Sequence, residues 1–143
     1  MKPTRALSFM IGVMLLLTIS SVSLARDAGP AGEEFSVKEY EDFHQVLHEL
    51  QHDALPKKDF ARIRLKSSEL IKLGEAIVKL GVPEGTATAK REDFEKGLRA
   101  FKEALARFRK DAKTGTDEEM TVSYSKVHDS FEELAGQLPP PKS

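Results

Sequence analysis

The chain has 143 residues, of which 22 are basic and 23 acidic, giving a formal net charge of −1. Because no surplus of positive charge is present to neutralise phosphates, the composition argues against a nucleic-acid partner. The absence of cysteine excludes covalent c-type haem, thiolate metal ligands and disulfides, so the fold must depend on its apolar core.

The first 25 residues have the pattern of a signal peptide. Lys2 and Arg5 give a basic start, a nearly uninterrupted apolar run covers residues 6–19, and small residues lead up to a cut between Ala25 and Arg26. The run is shorter than the ~20 apolar residues of a membrane-spanning helix, which favours cleavage over a retained anchor. The sequence therefore predicts a periplasmic or secreted protein with no stable membrane span.

The rest of the chain has the size of one domain. Residues 26–35 are predicted to be a flexible lead, residues 36–138 the folded domain, and residues 139–143 a Pro-rich tail. The first helix begins at Ser36–Glu39, a capping-box pattern, and Pro56 ends it or opens the next helix. Its apolar residues recur every three or four positions: Tyr40, Phe43, Leu47, Leu50 and Ala54.

Three further helices follow the same periodicity. The second runs from about Lys57 to Leu80 and stops at Gly81, the third ends near Gly115, and a second capping box over Thr116–Glu119 opens the fourth. The apolar stripes comprise Phe60, Ile63, Leu70, Leu73, Ile77 and Leu80, then Phe94, Leu98, Phe101, Leu105, Phe108 and Ala112, then Met120, Tyr124, Val127, Phe131, Leu134 and Leu138.

No stretch alternates with the period of a strand, and short connections join helices of similar length. The predicted fold class is therefore all-α, an antiparallel up-down-up-down four-helix bundle.

All four histidines lie in the predicted helices. His44, His48 and His52 are spaced four apart on the first helix, so neighbours are ~6 Å apart along its axis while the outer two are ~12 Å apart. Neighbours are close enough to share a metal ion, and the outer two are not. A site would use one neighbouring pair and a ligand from another helix.

His128 is the candidate for that additional ligand. In antiparallel neighbours, the midpoints of the first and fourth helices are level, which brings His128 to the height of His44 and His48. Both His44 and His128 also directly follow a core residue. The pair His48/His52 is the alternative.

Neutral imidazoles suit copper, nickel, cobalt or zinc, with copper bound most tightly. Glu41, Glu49 and Glu132 are neighbouring oxygen donors, although exposed helical carboxylates and histidines are also common without any ligand. Residues 48–52 match the H-E-x-x-H pattern of zinc metallopeptidases, with Glu69 or His128 as a third ligand. The motif is short and no strand is predicted to align a peptide, so we do not predict an enzyme.

Residues 42–49, together with the lone histidine of the last helix, resemble the CnrX-type family of periplasmic nickel and cobalt sensors. The resemblance implies that His44, His48 and His128 are metal ligands. This chain has Glu132 at the position where that family has a methionine.

Residues 124–131 resemble the haem-binding segment of the cytochrome c′ and b562 class of four-helix bundles. Tyr124 and Val127 stand in place of the two cysteines, and His128 matches the axial ligand. The resemblance implies His128 as an axial ligand of haem, and a noncovalent haem b is kept as an alternative to the metal ion, with His44 as the candidate for the second axial ligand.

The leading hypothesis is an exported bundle that binds a divalent transition metal as a carrier, buffer or sensor. A noncovalent haem protein that transfers electrons is the first alternative. A ligand-free bundle that acts through protein contacts is the second.

Overall fold

The computed structural model describes residues 35–140. In that range the chain forms no β-strand and four α-helices: α1 (Lys38–Glu49), α2 (Phe60–Leu80), α3 (Arg91–Thr114) and α4 (Asp117–Ala135). A π-helical turn, Leu50–Ala54, continues α1, and a 3₁₀ turn, Thr88–Lys90, precedes α3. The all-helical prediction is confirmed. The predicted signal peptide, the lead up to residue 34 and the last three residues of the tail lie outside the described residues.

The core consists largely of the predicted stripe positions. Helix α3 packs against α2 and α4, and α1 packs against α2. All five stripe residues of α1 and its π turn are fully buried, and each large side chain buried in this way contributes about 1.5–3 kcal/mol. Leu80 differs from the prediction, since it is 42% exposed at the last position of α2. No helix among residues 35–140 combines the length and apolarity that a membrane span requires.

The capping box predicted at the start of the first helix does not form. Val37 is the N-cap residue, in an extended conformation, and no side chain caps the helix. The hydroxyl of Ser36 instead donates to the carbonyl oxygen of Pro139 at 2.7 Å. This bond joins the segment before α1 to the segment after α4.

The second helix begins three residues later than predicted. Lys58 takes a left-handed conformation, with φ of 54°, and its N–H donates to Leu55 O at 3.0 Å while the Asp59 N–H donates to Ala54 O at 2.9 Å. This pair of bonds is a Schellman motif, which ends the preceding helical segment. The Asp59 carboxylate then accepts the Arg62 N–H at 3.1 Å and caps α2.

The junction between α3 and α4 agrees with the prediction. Thr116 and Glu119 form both bonds of the capping box, so this prediction is confirmed. Arg64 of α2 reinforces the junction by donating to the carbonyl oxygens of Ala112 at 2.9 Å and Gly115 at 3.0 Å. Its guanidinium thereby satisfies carbonyls at the end of α3 that have no partner within the helix.

Aromatic side chains connect α1 to the helices across the core. The ring of Phe43 lies 4.8 Å from that of Phe131 and 5.4 Å from that of Phe101, measured between centroids. The hydroxyl of Tyr124 donates to Leu47 O at 3.0 Å. These contacts fix α1 and its histidines relative to α3 and α4.

Candidate metal-binding site

Three imidazoles form a continuous line along α1 and the π turn. The ring centroids of His44 and His48 are 5.6 Å apart, and those of His48 and His52 are 4.3 Å apart. His48 and His52 are exposed and His44 is half-buried. The structure therefore brings together three of the four predicted ligands, with His48 in the middle.

The π turn accounts for the closer approach of His48 and His52. Leu55 donates its N–H to Leu50 O, five residues earlier, at 2.9 Å. Four residues correspond to about 400° of rotation about the axis of an α-helix but to less in the wider π turn. The angle about the helix axis between the side chains of His48 and His52 therefore differs from that between His44 and His48.

Pro56 provides the physical reason for the wider turn. It has no N–H to donate, and in a regular α-helix its ring would clash with the carbonyl group of His52, four residues earlier. Widening the helix immediately before Pro56 relieves that clash while the segment remains helical.

His44 is held between aromatic rings of two other segments. Its imidazole lies 5.1 Å from the ring of Phe35, edge to face, and 6.0 Å from the ring of Phe131, stacked. These contacts orient His44 toward α4, where His128 lies one helical turn before Phe131.

The environment of His48 favours its neutral form. Partial desolvation, followed by repulsion from the neighbouring His52 and His44, lowers the pKa of its imidazole below the usual value. Neutral imidazole is the form that binds metal ions. The lowered pKa therefore extends the pH range in which His48 is neutral toward more acidic values.

The carboxylates beside the histidine line are already paired. One guanidinium N–H group of Arg62 donates a hydrogen bond to the Glu49 carboxylate and another donates to that of Asp53, which also accepts a hydrogen bond from Lys57. The hydrogen bonds from Lys57 and Arg62 lower the pKa of the Asp53 carboxyl. Since Glu49 follows His48 and Asp53 follows His52, Arg62 links α2 to the backbone that carries both imidazoles.

No role for Arg62 was predicted from the sequence. The signal for this role was the spacing of Glu49 and Asp53, which are four apart and share one helix face.

The other predicted oxygen donors have different surroundings. Glu41 has one carboxylate oxygen buried without a hydrogen-bond partner in the described residues, and its other oxygen lies 3.4 Å from Gln45 Nε2. Glu132 is exposed on α4. Glu69, considered for the peptidase motif, pairs with Lys66 at 2.9 Å.

His128 is half-buried on α4, and its Nδ1 lies 3.4 Å from the Asp129 carboxylate. Across residues 35–140, no three histidine or carboxylate side chains converge in an arrangement that would hold a metal ion. The structure thus groups His44, His48 and His52, and it gives His128 a different polar neighbour.

Comparison of the chain with models of known protein families, with curated proteins and with solved structures found no match.

Proposed function

We propose that this protein binds one divalent transition metal ion through its helical histidines, with His48 as the central ligand. The observation that carries the proposal is the line of three imidazoles, in which His48 lies beside both His44 and His52. Arg62 pairs with Glu49 and Asp53, so the two carboxylates that directly follow His48 and His52 are already engaged, and the imidazole nitrogens are the proposed ligands. Copper, nickel, cobalt and zinc are the ions that such donors suit.

Two ligand sets share His48. One combines His44 and His48 with His128 of α4, and the other combines the closer pair His48 and His52. The contact of Tyr124 with Leu47 and that of Phe131 with His44 support the first set, because His128 lies between the two α4 residues in the chain. Because no three of these side chains converge among residues 35–140, the first set requires the imidazole of His128 to move toward those of His44 and His48.

The same contacts support an antiparallel pairing of α1 and α4, as the proposed up-down-up-down arrangement of the four helices requires. Tyr124 contacts Leu47, and Phe131, which comes later in α4, contacts His44, which comes earlier in α1. The order of contacts along α4 is therefore the reverse of that along α1. The bond from Ser36 to Pro139 adds a third contact in the same order. A spin label at Ser36 is expected to broaden the amide signals next to Pro139, and unaffected signals there would contradict this arrangement.

The protein is proposed to act outside the cytoplasm, as the leader-like pattern of residues 1–25 suggests. The protein recovered from the periplasm is expected to begin at Arg26, and its mass, measured by mass spectrometry, checks this location.

Metal titration of the apo-protein tests the binding proposal. We expect Cu²⁺ or Zn²⁺ to raise the melting temperature, because binding to the folded state alone stabilises it. His48→Ala should abolish the rise, while Gln45→Ala, a neighbouring exposed residue on the same helix, should leave it unchanged.

Two further variants separate the ligand sets. If the metal-induced rise in melting temperature is lost in His128→Ala but kept in His52→Ala, the ligand set spans α1 and α4. If it is kept in His128→Ala but lost in His52→Ala, the ligands are the close pair His48 and His52. A rise that survives His48→Ala would contradict the proposal. A Soret band after incubation with haem b, lost in His128→Ala, would favour the electron-transfer alternative.

A further inference from the structure

Charge is segregated among the helices. Basic residues outnumber acidic ones in both α2 and α3, whereas acidic residues outnumber basic ones in α1 and α4. Lys126 is the single basic residue of α4. The small net charge of the chain therefore conceals one positive pair of helices and one negative pair, the latter carrying the histidines.

Two adjoining cavities lie between the positive helices. One of about 240 Å³ and one of about 200 Å³ share Glu75 of α2 and Arg109 of α3 as lining residues, so they adjoin at the Glu75–Arg109 ion pair, and the two cavities together are called the groove here. Its apolar lining includes Ile71 and Leu105, which are only 6% and 3% exposed, and Val78, which is partly buried. The groove thus has a recessed apolar floor.

Lysines surround this floor without compensating acids. Lys72 and Lys79 line the α2 side, Lys102 and Lys113 line the α3 side, and all four are exposed. None of the four makes an ion pair with another residue in the range 35–140. The one acid that lines the groove, Glu75, pairs with Arg109. The groove therefore presents four uncompensated positive charges above an apolar strip.

We propose that the groove between α2 and α3 binds an acidic segment of a partner protein. The lining residues on α2 extend from Ser67 to Lys79, which corresponds to ~18 Å at 1.5 Å per residue. An extended segment of five or six residues has about this length. Its carboxylates would meet the lysines of both sides, and an apolar side chain between them would contact the floor.

Charge and shape favour this partner over other anions. A flat lipid surface would meet the lysines but not the recessed floor, and the exposed large apolar residues, Leu65, Leu80 and Val122, do not line the groove. A nucleic acid would meet the lysines with its phosphates but has no aliphatic side chain to place on the recessed floor. An acidic peptide uses both the charge and the apolar strip.

A labelled ten-residue peptide of glutamates with a central leucine is the probe, and fluorescence anisotropy with the full folded protein is the measurement. We expect saturable binding that weakens as salt rises, because the contacts are exposed charges. The triple variant Lys79→Gln, Lys102→Gln and Lys113→Gln should weaken binding about tenfold, since exposed charge pairs contribute modestly each.

The matched control is the triple variant Lys90→Gln, Lys96→Gln and Lys126→Gln, which changes net charge equally at exposed positions outside the groove. It should alter the dissociation constant less than twofold. Equal weakening by both triple variants, or no binding to the unaltered protein, would overturn the proposal. If the protein bound phosphatidylglycerol vesicles more tightly than the peptide, and through the same lysines, the occupant of the groove would be a membrane and not an acidic segment. If it self-associated through these lysines in ultracentrifugation, the occupant would be a second copy of this chain.

Discussion

Tyr40 and Tyr124 occupy core positions of α1 and α4, and both are fully buried, but their hydroxyl groups differ. Tyr124 donates to Leu47 O at 3.0 Å, whereas the Tyr40 hydroxyl has no hydrogen-bond partner among the described residues. A net buried hydrogen bond stabilises by about 1 kcal/mol, while burying a hydroxyl without a partner costs about 1–3 kcal/mol. The same hydroxyl group therefore stabilises the fold at one position and weakens it at the other.

Replacing each tyrosine by phenylalanine tests this difference. Tyr124→Phe should lower the free energy of unfolding by about 1 kcal/mol because the bond to Leu47 is lost. Tyr40→Phe should leave it unchanged or raise it by up to ~1 kcal/mol because an unpartnered polar group is removed. Urea unfolding measures both. Equal destabilisation by the two substitutions would show that Tyr40 has a partner, such as a buried water molecule.

At the scale of helices and turns, the sequence predicted periodicity better than it predicted helix ends. Regular spacing determines which face is buried, so the stripes of α1 and α4 were identified without knowledge of tertiary contacts. Ends depend on local competition among several polar side chains. Asp59 caps α2, and the preceding residue, Lys58, has a left-handed backbone conformation that no sequence pattern predicted.

Two helix starts match the same capping-box pattern but have different outcomes. The Thr116–Glu119 pattern forms a capping box, whereas the hydroxyl of Ser36 bonds to Pro139, 103 residues away in the chain. A local pattern cannot exclude a distant partner, because the carbonyl of Pro139 approaches Ser36 only after the helices have packed. The π turn was missed for a related reason, since Pro56 predicts a break but not how the helix adapts to it.

Alanine substitutions measure the difference between these two helix starts. Thr116→Ala should lower the free energy of unfolding by about 1 kcal/mol, the usual contribution of an N-cap side chain. Ser36→Ala should lower it by only about 0.5 kcal/mol, since it removes one solvent-exposed hydrogen bond and no cap. The midpoints of urea unfolding provide the comparison, provided that the dependence of the free energy of unfolding on urea concentration is the same in all variants. A larger effect at Ser36 than at Thr116 would mean that the capping box contributes little.

At the scale of the whole molecule, the candidate site was predictable in part. Spacing by four residues implied that His44, His48 and His52 share one line, and their ring contacts agree with it. The relation of His128 to that line depends on rotation of α4 about its axis and on its side-chain torsions, which sequence periodicity does not determine. Whether His128 binds a metal with His48 therefore stays a prediction for the titrations above.

Packing of three helices at Gly74 provides a test of the whole core. A Cβ atom added at this position of α2 would lie 2.7 Å from both methyl carbons of Leu105 in α3 and 3.2 Å from a ring carbon of Phe43 in α1. Alanine normally stabilises a helix by up to ~1 kcal/mol relative to glycine. Here Phe43 is fully buried, and Leu105, which is 3% exposed at the floor of the groove, would have to displace both methyl groups, so overpacking, which costs about 1–3 kcal/mol, should outweigh that gain.

Gly74→Ala is therefore expected to lower the free energy of unfolding by about 1 kcal/mol or more, as measured by urea titration. Gly136→Ala is the matched control, because Gly136 is exposed, has φ of −65° and places an added Cβ no closer than 3.4 Å to its neighbours. That substitution should raise the free energy of unfolding by about 0.4–1 kcal/mol through the lower entropy of the unfolded chain. Stabilisation by both substitutions would mean that α1, α2 and α3 are farther apart at Gly74 than described, and the alignment of the histidine line against the core would then need revision.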